Sequence, residues 1–471
     1  MPAHPATRAS HRILSAAAMA ACLGMFGLVP SAHAQLGKKK DHKTTTTQPR
    51  TNQPQTPATT TAAHSFLDDI FSNRGRTHDW ILKVNIHVDS YQDRNIYVQP
   101  GVVPTTPQST SPNSLGPSGS MPQNVPFKFD SASVIFPAIK STAGSTLDSE
   151  ITGTIKIDGK VYSSAPTSYL DNLPCGGRYA KWEMTNVEGR QLDFDVELPV
   201  TCHELMFDEA KAAKATWPKD DKWPRVAAST FAPQMGVDTT APILGETIKA
   251  WCSGKSPQSI PPLKLAKYIA SKVLEEIQPS GDGLVSSRTG ILQGFDLHGV
   301  DYTLREKRGS EHDVACTLCA LYRVAGLPAR LVIGWDVSES KGHDLGLKRK
   351  GTGELRSWVE FAIVDESVKT DTGEARLAWI PVDVVRQRKS GSKAPPLDRP
   401  WKYFGNNDDT DSIIPIAFHY HPPTTVVAHG SPCFWGWITF PEMQYGAEQM
   451  VRFVTITAPK TAPAPSDGGS K

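Results

Sequence analysis

A helix closed by glycine and proline, with strands following directly, sets the strongest limit on the fold. Asp313 to Ala325 is rich in Ala, Leu and Cys, so a buried helix is predicted there. Gly326 supplies the left-handed residue that ends a helix, and Pro328 cannot continue one. Three strand candidates come next: Arg330 to Trp335, Ser357 to Val364 and Leu377 to Asp383. A helix followed by strands, without alternation of the two, indicates an α+β layer fold. An earlier helix is predicted where Leu265, Ile269, Val273 and Ile277 recur every four residues and stop before Pro279.

Upstream, the chain alternates like β structure. Val84, Ile86 and Val88 alternate with Lys83, Asn85 and His87, the period of a half-buried strand. Ile155 and Ile157 run into Asp158-Gly159, a two-residue hairpin signal, and Val161 resumes beyond it. Leu192, Phe194, Val196 and Leu198 alternate with Asp193, Asp195 and Glu197, and with Tyr179 to Thr185 they predict a hairpin turning near Glu188-Gly189. Several such strands point to an antiparallel sandwich or barrel. An antiparallel β domain is therefore expected over 65–240, with a Pro/Ser/Gly-rich loop at 100–126. An α+β domain is expected over 241–400 and a C-terminal β segment over 401–458. Cys175 and Cys202 lie equidistant from the second turn, where antiparallel partners face each other, so a disulfide is expected between them. A register slip of one residue would instead leave two independent small residues.

The N-terminus reads as an export signal. Arg8 and Arg12 precede an apolar stretch from Ile13 to Val29, and Ala32-His33-Ala34 gives a small-x-small cleavage pattern. A signal peptide over 1–34 makes the expected location secreted or periplasmic, and the apolar run is too short to favour a permanent membrane span. Lipid attachment at Cys22 is the lesser reading, because it would leave Leu23 to Val29 as an apolar tail. Residues 35–64 and 459–471 are polar or Pro/Ala/Ser/Gly-rich and are read as disordered. A formal charge of +2 gives no reason to expect nucleic acid. Export permits disulfides, and the remaining cysteines, Cys252, Cys316, Cys319 and Cys433 with the two above, form no zinc pattern. No metal or cofactor is expected.

The segment Arg323-Val324-Ala325-Gly326-Leu327-Pro328-Ala329-Arg330, running into Leu331 to Gly334, is followed by Trp358-Val359-Glu360 and then Trp379-Ile380-Pro381-Val382-Asp383. Together these blocks resemble the transglutaminase-like superfamily, whose fold is that of papain-type cysteine proteases. The resemblance covers roughly 241–383. It implies a cysteine nucleophile near the helix start, a histidine base two residues before the Trp-Val-Glu block, and an aspartate orienting that histidine. The physical reason is that a helix N-terminus and an imidazolium favour thiolate, while the carboxylate fixes the imidazole tautomer. Carried onto this chain, the nucleophile position is Glu311, the base position is Arg356, and only Asp383 matches. A guanidinium has no acceptor and cannot take a proton, so thiol-type catalysis is not expected. Cys316 is not expected to substitute, lying about 7.5 Å deeper and about 140° round the helix, and Cys319, nearer the right face, lies about 12 Å along the axis. Both are expected in the core.

Glu311, Arg356 and Asp383 are accordingly expected to converge as a carboxylate–guanidinium–carboxylate chain, a structural ion pair in place of a catalytic one. Trp335, Trp358 and Trp379 are candidates to line the cleft, with core packing the alternative. His312 and His343 are read as solvated or loop histidines, and His419 and His421 as one wet strand face. The aromatic runs Trp401 to Gly405 and Phe434 to Trp437 are read as anchors, with a binding platform as the other possibility. The functional expectation is a secreted, catalytically inactive binding or scaffolding protein whose partner is a peptide, protein or glycan. The alternatives are an amide hydrolase, peptidase or acyl-transferring enzyme, as the family implies, or an envelope structural protein.

Overall fold

The computed structural model describes residues 64–71, 73–91, 126–287, 289–337, 353–391, 393–421, 432–441 and 446–457. All lie in one compact unit spanning 62–471. The signal segment, Cys22, His343 and the loop expected at 100–126 fall outside or almost wholly outside the described residues.

The β half contains β1 (Asn73–Tyr91), β2 (Phe127–Pro137), β3 (Ser145–Leu147), β4 (Thr152–Ile157), β5 (Lys160–Ser163), β6 (Ser168–Leu173), β7 (Gly177–Gly189) and β8 (Gln191–Met206). The α+β half brings helices α1 (Pro242–Trp251) and α2 (Pro262–Glu276) and short strands β9 (Gln278–Pro279), β10 (Leu284–Ser286) and β11 (Leu292–Phe295). Helix α3 (Val300–Glu306), β12 (Arg308–Gly309) and helix α4 (Glu311–Val324) come next. The chain continues through β13 (Ala329–Asp336), β14 (Glu354–Lys369), β15 (Ala375–Val382) and helix α5 (Val384–Ser390), then β16 (Ile413–Ala417), β17 (Gly436–Phe440) and β18 (Gly446–Thr457).

Period-two alternation builds the first layer pair. In β1, Leu82, Val84, Ile86 and Val88 are buried, as are Leu192, Phe194, Val196 and Leu198 of the neighbouring β8. Both strands belong to a large sheet of order β10-β11-β18-β1-β8-β4-β5. A second sheet of order β17-β2-β7-β6 supplies the opposing residues. Trp182 of β7 meets Phe194 edge-on at 4.8 Å, and Phe136 of β2 meets it at 6.0 Å. Truncating Phe194 to alanine there would cost about 3–5 kcal/mol, since little can collapse into the gap. The Asp158-Gly159 hairpin forms as expected, with both residues at positive φ.

The second expected hairpin does not form. β7 and β8 follow each other through a corner but lie in different sheets, β7 between β2 and β6, β8 against β1, β3 and β4. Alternation says which face of a strand is dry, not which strand lies beside it. Here the two dry faces meet across the sandwich. Asp158 fastens the corner, accepting the backbone N–H groups of Arg190 and Gln191 at 2.9 and 3.0 Å. The Cys175–Cys202 disulfide fails with its hairpin, and both thiols are free and buried. Cys202 faces the carbonyl of Ile413 at 3.4 Å, whereas Cys175 accepts from the Gln234 amide at 3.2 Å.

The α+β expectation holds. Helix α2 covers Leu265, Ile269 and Val273 of its predicted repeat and stops just before Ile277, and α4 begins at Glu311, two residues earlier than its composition suggests. The reason is a capping box: Ser310 accepts from the Asp313 N–H at 3.0 Å, and Asp313 accepts from the Ser310 N–H at 3.1 Å. Gly326 ends the helix at φ 89°, and the Leu327 N–H reaches back to the Tyr322 carbonyl at 2.9 Å. The sheet against α4 has the order β15-β14-β13-β16. β13 is buried on both faces except at Trp335, which is half-buried. The Arg323 side chain ties helix to sheet, donating to the carbonyls of Ala329 at 2.8 Å and Ala232 at 2.9 Å.

Candidate functional site

Glu311 is the first residue of α4, Arg356 lies near the start of β14, and Asp383 caps the N-terminus of α5. The capping box fixes where α4 starts, and the continuous β13–β14 register sets Arg356 opposite Gly334. Side chains alternate on a strand, so Asp336 shares the face of Gly334 and stands diagonally beside Arg356. That acid takes the guanidinium. Arg356 Nε lies 2.5 Å from Asp336 Oδ2, with the two side chains 12% and 2% exposed. Arg356 also donates to Glu354 at 3.2 Å, and Arg386 stands 3.6 Å from Asp336 and 3.1 Å from Asp409.

The expected three-residue chain is thus rearranged. Burial opposes the charge on Arg356. Asp336, then Asp383, Glu354 and Glu311, outweigh that burial and hold its pKa above the usual value. Glu311 is paired with Lys389 of α5 at 2.7 Å. Asp383 accepts the Arg386 backbone N–H at 2.8 Å, and burial pushes its carboxyl up despite Arg356, Arg386 and Lys389 nearby. The three positions sense one another electrostatically, but the direct partners are Asp336 and Lys389. Asp336 was legible only through the hairpin register. Lys389 reaches Glu311 from a distant helix and leaves no local signal.

The other candidates divide. Trp335 stacks on Phe453 at 4.3 Å and donates to Thr455 at 3.1 Å, and Trp358 is buried beside Val332 and Phe418. Both are packing residues. Trp379 borders a cavity, with the Arg330 guanidinium 4.2 Å over its ring. Cys316 and Cys319 lie in the core, and burial pushes Cys319 up to about 11. His312 is not solvated but fully buried. It shares hydrogen bonds with Ser357 at 2.7 Å and Tyr420 at 3.0 Å, and burial pulls its pKa down to about 4. His419 and His421 are half-buried and alternate with the fully buried Phe418 and Tyr420, so theirs is the wetter side, but both rings are hydrogen-bonded. Burial lowers them to about 3 and about 4, with Pro174, Gln234 and Tyr179 as their partners. Trp401, Phe404, Phe434 and Trp437 are buried and anchor their segments.

Glu311 at the start of α4, Arg356 on β14 and Asp383 at the start of α5 belong to one helix-and-sheet unit of the α+β half. Residues 256–384 match the model of the transglutaminase-like superfamily, and the chain carries a domain of that superfamily. Among solved structures, a candidate cysteine protease from Cytophaga hutchinsonii is similar at 9% identity and TM-score 0.43, over 83% of this chain and 94% of that one. The periplasmic domain of TgpA from Pseudomonas aeruginosa is similar at 13% identity and TM-score 0.24, over 66% of this chain and 91% of that one. No curated protein matches the chain. No helix among the described residues is long and apolar enough to cross a membrane.

Proposed function

We propose that this is an exported transglutaminase-like protein that binds or scaffolds rather than catalyses. The observation that carries the reading is the Arg356–Asp336 pair at 2.5 Å. The position that the resemblance assigns to a base holds a group with no acceptor, fixed by a buried carboxylate of its own. Glu311 at the nucleophile position is engaged by Lys389, and the described cysteines are all buried. Export rests on the N-terminal charge, apolar run and cleavage pattern.

The test pairs a thiol-directed electrophile with a panel of amide and thioester substrates. The folded protein is expected to take no label and to turn over none of the substrates. Glu311→Cys alone should stay inactive, because Arg356 cannot accept a proton. Glu311→Cys with Arg356→His restores the three residue types and is the variant in which weak turnover is expected. Wild-type turnover that disappears in Glu311→Ala would establish a carboxylate mechanism and end the non-catalytic reading.

A further inference from the structure

A cavity of about 810 Å³ lies where the edges of two sheets approach each other. Asp171, Asn172 and Leu173 of β6 form one side, and Leu377, Ala378 and Trp379 of β15 the other. Each of these strands ends its sheet: among the described residues β6 pairs with β7 and β15 with β14, with a single further bridge at Val382. Edge strands present unpaired N–H and C=O groups, which are the groups an added strand uses. Arg330 reaches the cavity from the sheet face that also carries Arg356. The two lie four residues apart in register, about 13 Å along the strands, so the cavity is separate from the Glu311 position.

The lining is charged unevenly. Five cations face it, Lys140, Arg178, Arg225, Arg330 and Arg376, against two carboxylates, Asp171 and Glu374. Arg178 and Arg330 form a buried floor, stacked on Tyr169 at 3.8 Å and on Trp379 at 4.2 Å. Their partners Glu150 and Glu360, and the Asp68 that bonds Arg376, are not part of the lining. The whole cluster is close to neutral, but its five cations line the cavity and three of its carboxylates do not. Attraction falls with distance, so an anion held against the lining lies nearer these cations than those three carboxylates. At the rim Lys140 and Arg225 are exposed. The nearest acid to Lys140, Asp171 at 3.6 Å, is held more closely by Arg178 at 3.0 Å.

We propose that this cavity binds an extended acidic peptide segment, added as a strand at the β15 edge with its carboxylates taken by Lys140 and Arg225. The edge groups account for a peptide backbone and the rim cations for acidic side chains. The proposal does not rest on whether Glu311 is catalytic.

The test is fluorescence anisotropy with a labelled oligoglutamate of about six residues at about 50 mM salt, against oligoglutamine and an anionic oligosaccharide of similar length. Saturable binding of oligoglutamate is expected, weakening as salt rises. Lys140→Glu with Arg225→Glu should weaken it about tenfold or more, while Lys160→Glu on β5 should change it less than about twofold. N-methylation of alternate peptide nitrogens should abolish it, because it removes the strand donors. Circular dichroism checks that the reversed variants are folded, and both altered side chains are exposed. Absence of saturable binding, equal binding of oligoglutamine, or indifference to the double reversal would overturn the proposal. So would retained binding of the N-methylated peptide, or binding of the oligosaccharide alone. Turnover and thiol labelling bear only on the Glu311 position, so the two readings fail separately.

Discussion

Glu311 and Arg356 occupy neighbouring positions in charge but differ in what they hold together. Arg356 and Asp336 are both nearly buried, so removing either leaves the other charge without its main partner. Arg356→Ala is expected to destabilise the protein by about 3 kcal/mol, at the low end for a broken buried pair because Arg386 at 3.6 Å still faces Asp336. Replacing both, as Arg356→Met with Asp336→Leu, should cost less than the two single changes added together, since no charge is then stranded. Glu311→Gln acts on a pair whose lysine is 48% exposed, and less than about 1 kcal/mol is expected. Urea unfolding of these variants, with Arg356→Met and Asp336→Leu also made singly, measures all of this. A neutral Arg356→Ala would show that the pair contributes nothing and that its structural role is misassigned. The thiols give a second residue-scale expectation. The six described cysteines should be unreactive to an aromatic disulfide reagent in the folded protein and all titrate in denaturant.

Within single elements, β1 carries a pH-dependent contact that follows from its own alternation. His87 on its outer face bonds Asp193 of β8 at 2.7 Å and Asp89 at 3.0 Å. Burial works against the imidazolium, but the two carboxylates outweigh it and raise the pKa above the ordinary 6.5. A raised folded-state pKa stabilises fully below the unfolded value and is lost as pH rises through the folded one. His87→Asn should therefore cost more stability at about pH 5.5 than at about pH 9, measured by urea midpoints at both. An equal cost at the two would mean the ring acts by packing alone. Elements of this kind were legible because each is defined by its own residues: the apolar stripe of β1, the turn chemistry of Asp158-Gly159, the Gly326 stop of α4. The start of α4 was misjudged by two residues because its signal lay in the Ser310–Asp313 box rather than in composition. The β7–β8 corner was misread because a dry face can be covered from beside or from across, and only the whole sandwich decides. The Glu311, Arg356 and Asp383 positions come from the resemblance to the family's motif blocks, while their partners Lys389 and Asp336 depend on tertiary approach and hairpin register.

At the scale of the molecule, the C-terminal segment does not form an appendage of its own. β16 extends the transglutaminase-like sheet beside β13, β17 joins the β2 edge of one sandwich sheet, and β18 pairs with β1 from Trp80 to Tyr91 in the other. β11, from the α+β half, reaches β18 at Val451, and Phe453 of β18 stacks on Trp335 of β13. The face of the transglutaminase-like sheet that carries Val332 and Trp358 is covered by Ile139, Cys175, Ile413 and Phe418, every one of them outside 241–400. A fragment of residues 241–400 would expose that apolar face and leave β13 without its β16 neighbour, a combination that favours association over folding. Expressed alone, the fragment is expected to be insoluble, or to lack a cooperative thermal transition and bind a hydrophobic dye. Extending it to residue 457 restores β16 and β18 but not Ile139 or Cys175, so it should still fall short of the 64–457 chain, which is expected to unfold cooperatively. Calorimetry and size-exclusion chromatography on the three lengths decide the point. A monomeric 241–400 fragment with its own sharp transition would show that the α+β half is an independent domain and that the strands crossing between the halves are incidental to its stability.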